Sequence, residues 1–339
     1  MKIKNKYKYQ KVKTIDLHTA GEPLRWIIEG VQEPLGKTVL EKRDYMQKNC
    51  DQIRQLLMYE PRGHFDMYGA LITEPERKDS DFGVLFMHNE GYSSMCGHGI
   101  IALVTGLVEC GVYAPNHSET IRIDSPAGLI EANVNQENDQ QISVSFKCVP
   151  SFVEQSDITL TLNDGKKVAG DICFGGAYYV YVNADELDLD LSANNLETIK
   201  SLGQQIKLAA SQQFPVTHPE HDALSFIYGT IFYSNQVEHS LQHSKHVCVF
   251  AESEVDRSPT GTGVSGRAAL LALRGKLAQN QTLEIGSISG GSMSVSIVPT
   301  TFNGKPSVIP TVTGRAFVTG EHHFLLDKND FVTSGFLLK

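Results

Sequence analysis

The sequence of 339 residues is 41% hydrophobic, so the chain can bury a substantial core, and its length favours two domains over one. Its formal net charge of −9 excludes a broad nucleic-acid-binding surface, because such a surface needs a concentrated basic stripe. No apolar stretch approaches the roughly 18 residues of a membrane span, so we expect a protein that acts on small molecules and does not associate with a membrane.

Cysteine usage and the start of the chain bear on the compartment. The start is rich in lysine, but no apolar segment follows it, so we expect neither a signal peptide nor a membrane anchor. The six cysteines form no C-x-x-C pair, which argues against a zinc ribbon and a disulfide scaffold and indicates a cytoplasmic protein with reduced thiols. Cys96 alone has glycines and a helix start beside it. The other five are predicted to be inert core residues: Cys50, Cys110, Cys148, Cys173 and Cys248.

Two halves with the same order of elements can be predicted along the chain. The first half is predicted to contain a strand at 24–28, a helix at 40–58, an apolar helix at 100–110 and a strand at 142–146. The second is predicted to contain a strand at 178–182, a helix at 196–212, an apolar helix at 264–276 and a strand at 293–298. Because the two apolar helices lack a polar face in their middle turns, we expect a sheet to wrap each of them. Residues 336–339 are predicted to form a last strand that completes the first domain.

Two short segments indicate an internal duplication. Cys96-Gly97-His98-Gly99 opens the first apolar helix and Thr260-Gly261-Thr262-Gly263 opens the second, at a constant offset of 164 positions. Glycines at the start of a helix leave backbone N–H groups exposed, and together with the helix dipole these groups form an anion site. Two such turns that face each other would hold a carboxylate.

The two turns differ in their chemistry, because one carries a thiol where the other carries a hydroxyl. A helix N-terminus is expected to lower the pKa of the Cys96 thiol from about 8.5, which favours a thiolate that acts as a nucleophile or as a base toward a carbon acid. Asp256, just before the second turn, would hold a substrate ammonium, which implies an amino or imino acid. The Thr260 hydroxyl is too weak an acid to exchange protons at neutral pH. Inversion of the substrate should therefore fail, whereas a β-hydroxyl could leave as water.

Several polar residues have a structural interpretation beside the functional one. His98 either caps its helix or contacts the substrate or its leaving hydroxyl, and both interpretations stay open. His218 and His221 have the spacing of metal ligands but no third ligand, so no metal is expected. No cofactor is expected, because the sequence has no G-x-G-x-x-G after a strand, no Walker A loop and no evident lysine for pyridoxal phosphate. Structural hydrogen bonding is the expected role of four others: His18, Glu22, His64 and His88.

The chain resembles the proline racemase family over essentially its full length. The resemblance rests on four strings: His18-Thr19-Ala20-Gly21-Glu22-Pro23, Glu60-Pro61-Arg62-Gly63-His64, Met95-Cys96-Gly97-His98-Gly99 and Asp256-Arg257-Ser258-Pro259-Thr260-Gly261-Thr262-Gly263. It implies a diaminopimelate-epimerase-like α/β (α+β) fold, with two pseudo-symmetric domains that each wrap a sheet around a central helix and an active site in the cleft between them. We place the domains at 1–150, completed by 325–339, and at 151–324. A homodimer is expected at the level of the family.

The second turn departs from most of this family. Racemases and hydroxyproline epimerases carry a cysteine in both turns, whereas this sequence has Thr260 in the second. The Cys/Thr pair resembles the trans-3-hydroxy-L-proline dehydratase branch. That resemblance implies that Cys96 takes the α-proton and that water leaves from C3, giving an enamine and then 1-pyrroline-2-carboxylate. It further implies that Asp256 contacts the ring nitrogen and that Thr260 forms the opposite wall. The residues expected to hold the carboxylate and nearby groups are Gly97, His98, Gly261 and Thr262.

Some alternatives stay open at this point. Either His98 or Thr260 would protonate the leaving hydroxyl. In the same fold, epimerisation of 4-hydroxyproline or racemisation of proline would need a water or another residue in place of the second cysteine. A non-catalytic imino-acid-binding protein would bind such ligands without proton exchange. A thiol hydrolase would need a histidine base oriented by a third group, and the spacing assigns no such triad.

Overall fold

The structure is a computed structural model that describes residues 10–113, 120–138, 141–236 and 244–338. The lysine-rich start up to residue 9 lies outside these ranges. The first half is built from eight strands and three helices: β1 (Gln10–Thr19), β2 (Glu22–Glu29), α1 (Val39–Asn49), α2 (Asp51–Met58), β3 (Tyr68–Thr73), β4 (Phe82–His88), β5 (Tyr92–Ser93), α3 (Gly97–Glu109), β6 (Ile121–Ser125), β7 (Gly128–Asn138) and β8 (Gln141–Lys147).

The remainder of the chain contributes ten strands and two helices. Strands again precede and follow one apolar helix. These elements are β9 (Ser151–Thr161), β10 (Lys167–Phe174), β11 (Tyr178–Asn183), α4 (Leu196–Gln213), β12 (Ile227–Ser234), β13 (Ser244–Phe250), β14 (Glu254–Asp256), α5 (Gly261–Leu273), β15 (Leu283–Ser287), β16 (Ser292–Phe302), β17 (Lys305–Gly314) and β18 (Ala316–Leu326). Three short 3-10 turns lie at Asp185–Leu187, Ala193–Asn195 and Asp222–Leu224.

Strand pairing repeats between the two halves. The first sheet runs β1-β2-β3-β4-β6-β7-β8, in which β2–β3 and β4–β6 are parallel and the other pairs are antiparallel. The second runs β10-β11-β12-β13-β15-β16-β17, with β11–β12 and β13–β15 parallel at the matching places. The duplication predicted from the two glycine turns therefore extends over both sheets, which confirms the predicted pseudo-symmetric architecture.

Each sheet wraps one buried helix. Every residue from Gly97 to Leu107 of α3 is buried, as is every residue from Gly261 to Leu271 of α5. Both helices begin three residues before the predicted 100 and 264, at the glycine turns themselves. Strand β17 pairs with β9 as well as β16, which closes the second sheet into a barrel around α5. Side chains of both helices, Leu103 and Ala268 among them, belong to one continuous core, so the halves are fused through apolar packing.

The end of the chain returns to the first half earlier than predicted. Strand β18 pairs antiparallel with β1, from Gln10 opposite Leu326 to Thr19 opposite Ala316. The return thus begins at Ala316 and not at residue 325, because β18 occupies on β1 the place that β9 occupies on β10. The predicted strand at 336–339 is wrong within the described residues, since Phe336 forms only an isolated bridge with Glu60. The division at residue 150 stays a prediction.

Two further expectations need correction. The predicted helix at 40–58 is interrupted at Cys50, whose φ of −136° and ψ of 18° end α1 and precede α2. Cys110 is exposed and Cys50 is half-buried, so these two cysteines are not core residues. The helix predicted at 196–212 is present as α4. Within the described residues, every helix is too short or too polar to cross a membrane.

Candidate active site

The two helix N-termini meet at their first glycines. A Cβ atom added to Gly97 would lie 2.8 Å from the Cα of Gly261, and one added to Gly261 would lie 2.9 Å from the Cα of Gly97. Only residues without a side chain permit this approach. A cavity of about 500 Å³ opens above the contact and is lined by both turns. The unpaired N–H groups of two helices and their positive dipole ends therefore converge on one place, which suits a carboxylate.

Cys96 occupies the N-cap position of α3. Its Sγ accepts a hydrogen bond from the Gly99 N–H at 3.2 Å and lies 3.2 Å from Nδ1 of His98. The side chain is only 5% exposed. Burial raises the pKa of the thiol well above its ordinary value, and the nearby carboxylates of Asp256 and Glu22 add to the increase. The expected lowering by the helix N-terminus is therefore wrong for the free protein, because one N–H donor does not offset lost hydration and two acidic neighbours.

His98 lies against the thiol as a neutral imidazole. Burial lowers its pKa below the ordinary value, although Asp256 opposes this effect. Its ring packs edge-on against Tyr68, at 4.8 Å between centroids. The backbone carbonyl of His98 accepts a hydrogen bond from the Thr19 hydroxyl at 2.9 Å, which fixes the turn to the end of β1. The resting site thus holds an uncharged thiol and an uncharged imidazole in contact.

The second turn differs in geometry as well as in residue type. Thr260 precedes α5 with a φ of 67°, in the left-handed region that β-branched residues rarely adopt. Its hydroxyl does not cap the helix but donates to Oδ2 of Asp256 at 2.8 Å. The other carboxylate oxygen of Asp256 accepts from the Ser258 N–H at 2.7 Å. Thr262, two residues further along the chain, shares a hydrogen bond with the Tyr179 hydroxyl at 2.8 Å. Asp256 therefore holds Thr260 in one orientation.

All seven predicted site residues line the same cavity; they are Cys96, Gly97, His98, Asp256, Thr260, Gly261 and Thr262. Four of the other histidines separate into two groups. His88 and His221 also line this cavity. His18 accepts a hydrogen bond from the Gly21 N–H at 3.2 Å, and His218 accepts from the N–H groups of Glu220 and His221, as structural groups would. The geometry thus unites the residues of both turns in one cavity.

Glu22 belongs to the candidate site, although the sequence predicted only a structural role for it. Glu22 is 1% exposed, lines the cavity, and accepts a hydrogen bond from the Arg257 N–H at 2.7 Å. Burial raises the pKa of its carboxyl well above the ordinary value, and Asp256 raises it further. The two partners are 235 positions apart, so spacing gave no signal. The only available signal was the position of Glu22 in one of the four strings that carry the family resemblance.

Glu22, His98 and Asp256 form a compact group in this cavity. One polar atom from each lies within 4.8 Å of the others, and all three residues are buried. Such a set of ligand atoms could hold a metal ion, and it equally suits a secondary ammonium between two carboxylates. Since anion-binding turns lie beside it, the cavity offers complementary charge to both ends of a zwitterion.

A second missed residue is Cys248, in the middle of β13. Its backbone pairs with Asp256 of β14, and its side chain lines the cavity although it is only 1% exposed. Strand-like surroundings predicted an inert core cysteine, and the pattern could not show which end of the strand would face the cleft.

Comparison with known proteins places this geometry in a family. The sequence matches the proline racemase family over residues 14–337. The trans-3-hydroxy-L-proline dehydratase of Colwellia psychrerythraea is 45% identical over 333 residues, which cover 98% of this chain and 94% of that protein. The 3-hydroxyproline 2-epimerase of Burkholderia multivorans is 42% identical over 328 residues, covering 96% and 98%. A hydroxyproline epimerase structure from Agrobacterium vitis, with bound trans-4-OH-L-proline, is 27% identical with a TM-score of 0.87, covering 97% of this chain and 96% of that one. This chain belongs to the proline racemase family.

Proposed function

We propose that this protein is a hydro-lyase that dehydrates trans-3-hydroxy-L-proline to 1-pyrroline-2-carboxylate. The relative from Colwellia psychrerythraea carries the corresponding name at 45% identity. The observation that carries the proposal is the pairing of Cys96 with His98 at 3.2 Å on one side of the cavity, with Thr260 at the equivalent position of the other helix. One thiol–imidazole pair suits the removal of one proton and the departure of one hydroxyl.

The stereochemistry of the substrate supports an elimination on one face. In trans-3-hydroxy-L-proline the hydroxyl is trans to the carboxylate, so the α-hydrogen and the hydroxyl lie on the same face of the ring. A base that reaches the α-hydrogen therefore has the leaving group beside it. If Cys96 is this base, then His98 is the group within reach of the hydroxyl, and Thr260 faces the opposite side. This favours His98 of the two candidate proton donors.

The proposed steps return the site to its resting state. The Cys96 thiol passes its proton to His98, which gives a thiolate and an imidazolium. The thiolate then takes the α-proton, and the electron pair of that C–H bond forms the C2=C3 double bond as the C3–O bond breaks. The imidazolium gives its proton to the departing oxygen, so that water leaves and both groups are again neutral. The enamine product tautomerises to the imine, losing a proton at nitrogen and gaining one at C3.

The two turns would bind the substrate and stabilise the charge that develops on it. N–H groups of the turns at Gly97, His98, Gly261 and Thr262 would hold the carboxylate, on which negative charge increases as the α-proton leaves. Asp256, with Glu22 beside it, would hold the ring ammonium. Thr260, tied to Asp256 by its hydroxyl, would close the second face.

The test is proton NMR of the purified protein in D₂O with trans-3-hydroxy-L-proline, trans-4-hydroxy-L-proline and L-proline in separate samples. Conversion of the first to a pyrroline carboxylate is expected. A 2-epimerase is the second candidate, favoured by the name of the Burkholderia multivorans relative. It would invert the 3-hydroxy substrate without forming the pyrroline. No reaction with any of the three compounds would instead support a binding protein.

Location and assembly are finer proposals. The scattered cysteine pattern supports a cytoplasmic protein, and the family resemblance supports a homodimer. Light scattering of the purified protein would test the dimer.

A further inference from the structure

One arginine of the second half lies between two carboxylates of the first half, beside the candidate site. Arg257 directly follows Asp256, the last residue of β14. Its Nη1 atom lies 2.9 Å from Oδ2 of Asp66 and 3.9 Å from Oε2 of Glu22. Glu22 begins β2, and Asp66 precedes β3. The Arg257 guanidinium therefore has two acidic groups within reach, and Asp66 is the one that holds it.

The Asp66 carboxylate is suited to hold a cation. Its side chain is 8% exposed, and Oδ1 is buried without a hydrogen-bond partner among the described residues. Burial raises the pKa of the Asp66 carboxyl to about 6; Arg257 and Lys200 oppose this increase, whereas Glu254 adds to it. The carboxyl is thus ionised in mildly alkaline solution. Because one of its oxygens has no other partner, its charge depends on Arg257.

Glu22 interacts with the backbone of Arg257 and not with its guanidinium. Oε2 of Glu22 accepts a hydrogen bond from the Arg257 N–H at 2.7 Å. Burial raises the pKa of the Glu22 carboxyl well above its ordinary value, so this group needs a nearby cation to ionise fully. The ammonium of an imino acid would be such a cation, since Glu22 lines the cavity. A guanidinium that moved about 1 Å closer would form a charge-assisted hydrogen bond with Glu22 and take that place first.

We propose that Asp66 is a positioning residue that holds the Arg257 guanidinium away from Glu22 and thereby keeps Glu22 available for the ring ammonium of the substrate. This inference rests on the proposed function, because it concerns the same substrate in the same cavity. The two helix turns would bind the carboxylate of a ligand wherever the guanidinium lies. Loss of Asp66 should therefore weaken the binding of ligands that carry an ammonium, and affect ligands with an uncharged ring nitrogen much less.

The experiment compares two five-membered rings that both carry a 2-carboxylate. Trans-3-hydroxy-L-proline has a secondary ammonium, whereas the ring nitrogen of pyrrole-2-carboxylate is uncharged. Calorimetric titration at about pH 8 gives the dissociation constant of each ligand, in a Cys96→Ser background that prevents consumption of the imino acid. The quantity compared is the ammonium ratio, which is the dissociation constant of the imino acid divided by that of the analogue.

Asp66→Asn should raise the ammonium ratio by about tenfold, as expected for the loss of one hydrogen bond to a charged group. The φ of Asp66 is 65°, in the left-handed region that asparagine also adopts, so this variant removes the charge without straining the backbone. Asp66→Gly suits the same φ and should raise the ratio as well. It provides the same test if the asparagine variant does not fold.

A double variant separates competition from damage to the structure. Adding Arg257→Gln to Asp66→Asn removes the guanidinium that would compete for Glu22 but keeps the backbone N–H that Glu22 accepts from. The ammonium ratio should then return to that of the Cys96→Ser background. If the two side chains only stabilised the fold, the second substitution would add to the loss and would not reverse it.

Asp171→Asn is the matched control for the loss of a buried ion pair. The Asp171 side chain is 5% exposed, and its Oδ1 lies 2.8 Å from Nη2 of Arg274, but neither residue lines the cavity. This variant removes a carboxylate of similar burial from a pair of similar length. The ammonium ratio should stay unchanged.

Two results would overturn the proposal. One is a folded Asp66→Asn variant whose ammonium ratio equals that of the Cys96→Ser background. The other is a double variant whose ratio stays as high as that of Asp66→Asn alone. Failure of the proposed function is distinct from both, since it would show as a wild-type protein that does not dehydrate trans-3-hydroxy-L-proline.

Discussion

The contact between Gly97 and Gly261 predicts that one methyl group at the junction of the two helices will impair the enzyme. In Gly97→Ala the new Cβ would lie 2.8 Å from the Cα of Gly261 and 3.0 Å from Cζ of Phe146. Carbon atoms pack at about 3.5–4.0 Å, so the two turns must move apart by about 1 Å. Overpacking of this kind costs about 1–3 kcal/mol of folding free energy.

The effect on catalysis should be larger than the effect on stability. Both turns would have to contact the same carboxylate, and a misplacement of about 1 Å can reduce a rate by about 100-fold. We therefore expect kcat/KM for dehydration to decrease by about that factor in Gly97→Ala, and binding of the planar analogue pyrrole-2-carboxylate to weaken. Gly261→Ala should behave in the same way, because its Cβ would lie 2.9 Å from the Cα of Gly97.

Gly91→Ala is the matched control for this experiment. An added Cβ at Gly91 meets no heavy atom within 4 Å, and the φ of this residue is not positive. Steady-state kinetics, calorimetric titration with the analogue and chemical denaturation should be measured for all three variants. The reasoning would be refuted if folded Gly97→Ala bound the analogue and turned over the substrate as well as Gly91→Ala does.

Three other predictions concern the acid–base groups. Cys96→Ser should reduce turnover by about 10³-fold while retaining binding of pyrrole-2-carboxylate, and substantial activity by direct product assay would remove Cys96 as the base. Since the pKa of the Cys96 thiol is raised and that of the His98 imidazole is lowered, both groups are neutral near pH 7. The profile of kcat/KM against pH should therefore be flat near pH 7. It should decrease at acidic pH, as His98 gains a proton, and at strongly alkaline pH. A tenfold increase in kcat/KM per pH unit from pH 6 to 8 would contradict the thiol–imidazole exchange. Thr260→Cys should raise the ratio of inversion to dehydration by about 100-fold, measured by chiral chromatography of the imino acids after incubation, and an unchanged ratio would mean that this side chain does not control the second face.

Features of the fold and of the site that depend on local sequence pattern could be predicted from the sequence. Glycine turns, the apolar runs behind them and the repeated offset predicted α3 and α5, their sheets and the cavity between their N-termini. The same turns directed attention to Cys96 and Thr260, and the structure brings these two residues to one cavity. Boundaries were less accurate, since the predicted helices began after the glycines that start them.

Features that depend on tertiary packing could not be predicted from pattern. Glu22 and Cys248 reach the cavity from β2 and β13, and their chain neighbours resemble those of any buried strand residue. The direction of the Cys96 pKa shift was wrong because local helix geometry lowers it, whereas burial and the remote carboxylates of Glu22 and Asp256 raise it more. The pairing of β18 with β1 joins the two ends of the described chain, so no local periodicity could reveal it.

The exchange of terminal strands between the halves has an evolutionary consequence. Strand β9 follows the first set of elements but pairs with β10 of the second, and β18 follows the second set but pairs with β1 of the first. Two separate half-length chains with this pairing would form a strand-swapped dimer with one site on its two-fold axis. Identical subunits must place the same residue on both sides of such an axis. Fusion of the halves into one polypeptide removes that constraint, and only then can one turn keep a thiol at Cys96 while the other acquires a hydroxyl at Thr260.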